Sequence, residues 1–292
     1  MIDIHAHMGR LDREGYPQRA PLSVHQLIDR MDREGIDQAV LLPLESPEGG
    51  WGYLLTEEAV EARNMYPERL FAFVCVDPRY PKAEQFIDYF VQRHGCLGFG
   101  EHVNGLAFDD PRNMAIYGKC DEYGLPLIFE LNHEGLCHDE AGLPRLERCL
   151  QTFREVKWCG HGPGFWAAIS GDDDGAPGYR EGPVAPGGAL DRLLERYDNL
   201  YLDLSARSGY NALTRDPAFT EGFVARHWRR MLFGTDIVFP GDPLPIVGWL
   251  RNLGVSEGVR HAIAEGNARR VLGKEDYASA VTPARKPRTI SM

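Results

Sequence analysis

Met1-Ile2-Asp3-Ile4-His5-Ala6-His7 is the stretch from which the fold is read. It is short and alternately apolar, so it reads as a strand, and strand residues two apart share one face. His5 and His7 therefore point the same way. Segments of the same kind recur seven times, at 38–43, 70–77, 96–101, 125–131, 156–161, 200–205 and 231–236. Amphipathic stretches lie between them. The first, 23–34, opens on Ser23 as N-cap and stops before Gly35. The second, 56–65, places Glu57 and Glu58 at the positive end of the helix dipole. Further helices are expected at 82–93, 111–123, 143–153, 189–197, 217–227, 245–252 and 256–272. Eight strand–helix alternations with no interior linker predict an α/β fold, a closed (β/α)8 barrel of the TIM type. It is expected to fill residues 1–273 as one domain, with 274–292 a polar, basic C-terminal extension. An open doubly wound sheet is the alternative.

A chain of 292 residues with 43% hydrophobic content is ample for such a barrel. The net charge of −11 leaves no basic surplus to neutralise phosphates, which argues against nucleic acid and anionic membranes as partners. No apolar run approaches the roughly 20 residues that span a bilayer. The strand-like start leaves no room for a leader segment, so the expected location is cytoplasmic. Self-association into a homo-oligomer stays open. Cys75, Cys96, Cys120, Cys137, Cys149 and Cys159 contain no C-x-x-C pair and read as buried free thiols.

Two connections are long, 45–53 and 162–188, and both follow a strand's C-terminal end, where barrel enzymes place their chemistry. Asp172-Asp173-Asp174 in the second reads as a solvated turn rather than a calcium site. Two neighbouring imidazoles inside a barrel are costly to bury unless a divalent cation binds them. Glu101, Glu130, His161 and Asp236 stand at or near the ends of strands four, five, six and eight, each after an apolar or small-residue run. Parallel strands bring such ends together, and converging histidines and carboxylates make a metal site beside a general base.

Ile4-His5-Ala6-His7, Gly160-His161-Gly162, Phe233-Gly234-Thr235-Asp236 and the closing stretch Gly266-Asn267-Ala268-Arg269-Arg270-Val271-Leu272-Gly273 together resemble the amidohydrolase superfamily. The likeness is to its amidohydrolase-2 branch, that of the aminocarboxymuconate-semialdehyde decarboxylase, related decarboxylases, hydratases and lactone hydrolases. The resemblance implies that His5 and His7 are metal ligands. Asp236 would be a ligand and proton shuttle, and His161 would polarise the scissile group or act as acid and base.

The chain departs from that pattern at strand five, where the family usually has a histidine. Counting from Leu125-Pro126 puts Glu130, not His133, at the ligand position. Glu101 matches a strand-four position that supplies a bridging group in two-metal relatives. A set so rich in oxygen suits manganese as well as zinc, with one metal ion expected and two as the alternative. Arg207, His133, Trp51 and Trp166 are the expected substrate-binding residues; Arg207 can clamp a carboxylate with its fork. The expected reaction is hydrolysis of an ester, lactone or amide in a small acidic metabolite by metal-activated water. Nonoxidative decarboxylation or hydration of an unsaturated acid is the alternative. An inactive ligand-binding barrel would require His5, His7 and Asp236 to be incidental.

Overall fold

Eight short parallel strands run in chain order: β1 Ile2–Ala6, β2 Gln38–Leu41, β3 Leu70–Ala72, β4 Phe99–His102, β5 Pro126–Glu130, β6 Lys157–His161, β7 Leu200–Asp203 and β8 Met231–Leu232. The computed structural model of the chain describes residues 1–11, 19–50, 53–133 and 135–274. β1-β2-β3 form one hydrogen-bonded group and β4-β5-β6-β7-β8 the other. A Val74–Phe99 bridge joins β3 to β4, and an Ala6–Ile237 bridge joins β1 to the residues after β8. The Ile4 N–H also donates to the Phe233 carbonyl at 2.9 Å, so the ring closes. The fold is a TIM-type α/β barrel.

The helices form where the sequence supplies their caps. Val24–Glu34 begins on a reciprocal Ser23–Gln26 capping box and ends on left-handed Gly35. Pro111–Tyr123 and Pro217–His227 each begin with proline behind an aspartate whose side chain accepts a backbone N–H. Their apolar faces pack on the outer face of the barrel, where Leu27 and Met31 join Ala39, Leu41 and Ala72. The barrel interior is a separate cluster of Ile2, Ile4, Val40, Phe73, Ile128, Cys159 and Leu232, joined by Ala268, Val271 and Leu272. All six cysteines are free and buried.

The long connections hold structure that the periodicity does not announce. Pro47–Gly50 and Pro163–Ala167 are short helices inside them, and Ala206–Thr214 is a full helix directly after β7. The last expected helix is divided, with a π-helical turn at Ala262–Gly266 between two α-helical pieces. The Asp172–Asp174 turn is not uniformly solvated, because the Asp173 side chain is only 4% exposed and pairs with Arg180 at 2.6 Å.

Two strands break the period-two rule. The β1–β2 register shifts between Asp3 and Ala6, and the β4–β5 register shifts between Phe99 and His102. Such a shift lets successive residues face the same side. In β1, Ile4 belongs to the interior cluster, and His5 also turns inward. β4 turns Glu101 inward, while His102 packs outward between Phe99 and Tyr117.

Candidate active site

Everything the strands deliver to one mouth of the barrel meets around His5 and His7. Both rings are fully buried. His5 Nδ1 lies 2.6 Å from Asp203 Oδ2, and His7 Nδ1 lies 2.8 Å from the Leu42 carbonyl oxygen. Each of those partners accepts, so each Nδ1 carries a proton and each Nε2 is the atom that takes either a second proton or a metal ion. The two Nε2 atoms are 3.1 Å apart. Glu101 Oε2 is 3.5 Å from His5 Nε2 and 3.4 Å from His7 Nε2, and Asp236 Oδ1 is 3.5 and 3.3 Å from them.

Four acceptors aimed at one point repel one another unless positive charge lies between them. The proton equilibria show that demand. Burial disfavours a charge on His5, yet Asp203 and Glu101 outweigh it and hold its pKa well above the usual imidazole range. His7 is likewise opposed by burial, but Asp236 and Glu101 raise it to about 9. Burial pushes Glu101 upward, and the two histidines overcome this and hold it well below its ordinary value.

A divalent cation fits this donor set. Zinc donors at about 2.0–2.2 Å from the ion lie roughly 3.3–3.6 Å from each other in a tetrahedron, close to the 3.3–3.5 Å from each carboxylate oxygen to the two histidine nitrogens. Locking each ligand histidine through its other nitrogen is the usual second layer of such a site.

Gly234 makes room for the arrangement. A Cβ there would fall 2.5 Å from Asp203 Oδ1 and 3.2 Å from His5 Cβ. Asp236 itself has a left-handed backbone, φ 55°, which aspartate tolerates better than most residues. Its N–H donates to the His5 carbonyl at 2.8 Å, tying it to β1. Its side chain is 24% exposed, the most open of the four donors.

His161 stands beside this group. Its Nδ1 is 3.1 Å from Ser205 Oγ, and Ser205 Oγ is also 3.1 Å from His5 Nδ1. Because His5 Nδ1 carries a proton, the serine hydroxyl is left to donate to His161 Nδ1, which puts the His161 proton on Nε2. That Nε2 lies 3.6 Å from Glu101 Oε1. Burial lowers the pKa of His161, as does charge on His5, which favours the uncharged ring. Glu101 thus turns one oxygen to the histidine pair and the other to His161. Glu130 falls with Glu101 and His161 in a second donor group, separate from His5, His7 and Asp236.

Above the donors is a cavity of about 250 Å³, whose walls include Tyr53, Glu130, Asn132, Tyr179 and Val238. It opens past Asp236, Tyr179 and Ala206 into a larger groove of about 580 Å³ lined by Arg207, Tyr210 and Phe239. The Arg207 guanidinium lies 4.9 Å from the Tyr179 ring centre.

Two expected substrate contacts are placed elsewhere. Trp166 is buried, and its indole N–H donates to the Asp203 carbonyl at 3.2 Å, so it anchors β7 rather than lining the cavity. His133 lies past the end of β5, where its Nε2 faces Asp173 at 3.6 Å; Asn132 reaches the cavity instead. Trp51 lies outside the described residues. Asp203 and Ser205 have no assigned role in the sequence reading. Yet Leu200-Tyr201-Leu202-Asp203 ends an apolar strand in an acid, the same signal that marks Glu130 and Asp236.

The sequence matches the amidohydrolase family over residues 2–274. Among the curated proteins none matches it. Among solved structures, a TIM-barrel protein from Bordetella bronchiseptica aligns with a TM-score of 0.65 at 17% identity, covering 94% of this chain and 100% of that one. A probable 2-pyrone-4,6-dicarboxylic acid hydrolase from Acinetobacter baumannii, solved with citric acid, gives 0.61 at 13% identity, over 93% of this chain and 98% of that one. A dihydroxybenzoic acid decarboxylase from Polaromonas sp. JS666, holding manganese and the inhibitor 2-nitroresorcinol, gives 0.59 at 16% identity, over 93% and 96%.

Proposed function

This chain belongs to the amidohydrolase family, whose members are metal-dependent hydrolases and lyases, and we propose that it hydrolyses an ester, lactone or amide bond in a small acidic metabolite. The observation that carries this reading is the His5 Nε2–His7 Nε2 pair, 3.1 Å apart, with a Glu101 oxygen and an Asp236 oxygen each within 3.3–3.5 Å of both, beside the buried His161. These four residues would hold the cation. When bound, a divalent ion supplies Lewis-acid polarisation and makes water a stronger acid.

The chain's own groups do the rest. Asp236, the donor most open to the cavity, accepts a proton from the attacking water. His161 Nε2–H donates to the carbonyl oxygen as negative charge builds on it. As the C–O or C–N bond breaks, Asp236 returns the proton to the leaving oxygen or nitrogen, and a carboxylic acid and an alcohol or amine result. Arg207, at the groove, binds the substrate's own carboxylate, and Tyr179 and Tyr210 face its apolar part.

A second cation held by Glu101, Glu130 and His161 is the rival arrangement; it would need the lone pair of His161 Nε2 and would take the donor role from that histidine, and the metal count of purified protein decides between the two. The test of the reaction is a panel of carboxylate-bearing lactones, esters and amides assayed on protein purified without chelator. Released acid and released carbon dioxide are measured together. Hydrolysis that stops on chelation is the expected result. Carbon dioxide release without hydrolysis would replace this reading with a nonoxidative decarboxylase, the reaction named for the manganese-holding neighbour.

A further inference from the structure

Behind Tyr179 lies a chamber of about 10 Å³, room for one water-sized group. It shares Pro163, Tyr179 and Ser208 with the wall of the active-site cavity. Its other walls include Arg180, Asn211 and Arg215. Four buried polar atoms of these walls have no hydrogen-bond partner: Ser208 Oγ, Arg180 Nε, Arg215 Nε and Arg215 Nη2. Every one of them can donate, and the guanidinium nitrogens can do nothing else.

The Arg215 geometry is the strongest part of the case. Its Nη1 donates to the carbonyls of Glu181, Gly182 and Pro183 at 3.2–3.4 Å. That leaves the Nε–Nη2 edge, the fork that grips an anion, bare and out of water. None of the neighbouring carboxylates hydrogen-bonds the Nε–Nη2 edge of Arg215, although Asp173 Oδ2 is itself buried without a partner. Asp173 and Asp174 hold the Nη atoms of Arg180, Asp172 bonds Ser170, and Asp216 accepts the N–H groups of Val184 and Phe219. Burial lowers the Arg215 pKa, with Asp172 and Asp216 opposing it.

A monoanion can accept from all four donors at once, whereas a water accepts only two and must place its own two protons on acceptors such as the Asn211 side-chain oxygen. We infer that the chamber formed by Ser208, Arg180 and the bare fork of Arg215 is a binding site for a small monoanion of the halide class, chloride in solution. The anion bridges Arg180, in the connection that carries Tyr179, to Ser208 and Arg215 at the helix Ala206–Thr214. It thereby fixes Tyr179 between the catalytic cavity and the outer groove. This site stands apart from the metal donors and from the reaction they perform.

The full chain, crystallised without chloride and soaked in sodium bromide, should show an anomalous peak between Ser208 Oγ and the Arg215 fork. In solution, chloride titrated against gluconate at constant ionic strength should raise the melting temperature saturably, by roughly 2–4 °C. Arg215→Gln should abolish that rise. Ser208→Ala, which keeps the fold safer, should shift the chloride midpoint upward several-fold. Ordinary water in the chamber of the bromide-soaked crystal would overturn the site. So would a melting temperature indifferent to chloride, or a Ser208→Ala midpoint equal to that of the parent.

Discussion

β1 and β4 differ from β5, β6 and β7 in one respect that decides how the mouth of the barrel is equipped. The regular strands alternate: Ile128 then Glu130, Cys159 then His161, Tyr201 then Asp203, each pair inward with one residue between. A strand of that kind delivers one polar group after each apolar floor residue. β1 and β4 shift register, and they bring His5 in directly after Ile4 and Glu101 in although Phe99, two residues before it, packs outward. The lesson is a division of labour. On the proposed reading, the shifted strands bring in His5, His7 and Glu101, with Asp236 added from beyond β8, and the regular strands set the groups that orient them.

If that division holds, the two histidines His5 and His161 behave differently despite lying side by side. His5→Ala should lose bound metal and with it all measurable turnover. His161→Ala should retain metal by elemental analysis and lose turnover by on the order of 10²–10⁴. Equal metal loss in both would erase the distinction and make His161 a ligand. Asp203→Asn sharpens the comparison from the regular side. The carboxylate only orients His5, so metal affinity should fall by about 10–100-fold in a competition titration while the fold survives. An unchanged affinity would mean that β1 holds His5 without help. The smallest effect is expected of Ser205→Ala, which removes one neutral hydrogen bond worth about 0.5–1.5 kcal/mol. Turnover should drop a few-fold with metal content unaltered; a loss as deep as that of His161→Ala would give the serine a direct part in the chemistry.

The same contrast explains what could be read from the sequence. The eight strands, the barrel and most helices follow from periodicity and caps such as Ser23, Asp110 and Gly35. That His161 and Glu130 reach the mouth follows from alternation within a regular strand. The direction of Glu101 does not, because a register shift depends on pairing between strands and leaves no period in the sequence. Asp203 was readable by the rule used for its neighbours, whereas the placement of Trp166 and His133 depends on how a long connection folds back. Ala206–Thr214 also escapes a periodicity argument, since Ser-Gly-Tyr-Asn in its middle is not a helix-forming run.

One feature of the closure gives the barrel a different kind of meaning. β1 meets the end of the ring through few bonds: Ile4 to Phe233, His7 to Ile237, His5 to Asp236, and Asp3, whose carboxylate accepts from the backbone and hydroxyl of Thr235. The residues that face each other across this seam are more than two hundred positions apart in the chain, so theirs are among the last contacts a folding chain can collect. The donor quartet is drawn from both flanks of the seam and from β4 opposite. A half-barrel fragment, however well it folded, would carry an incomplete set. The distance between His7 and Asp236 is therefore a gauge of closure, and any strain that parts the seam disarms the enzyme before it unfolds it.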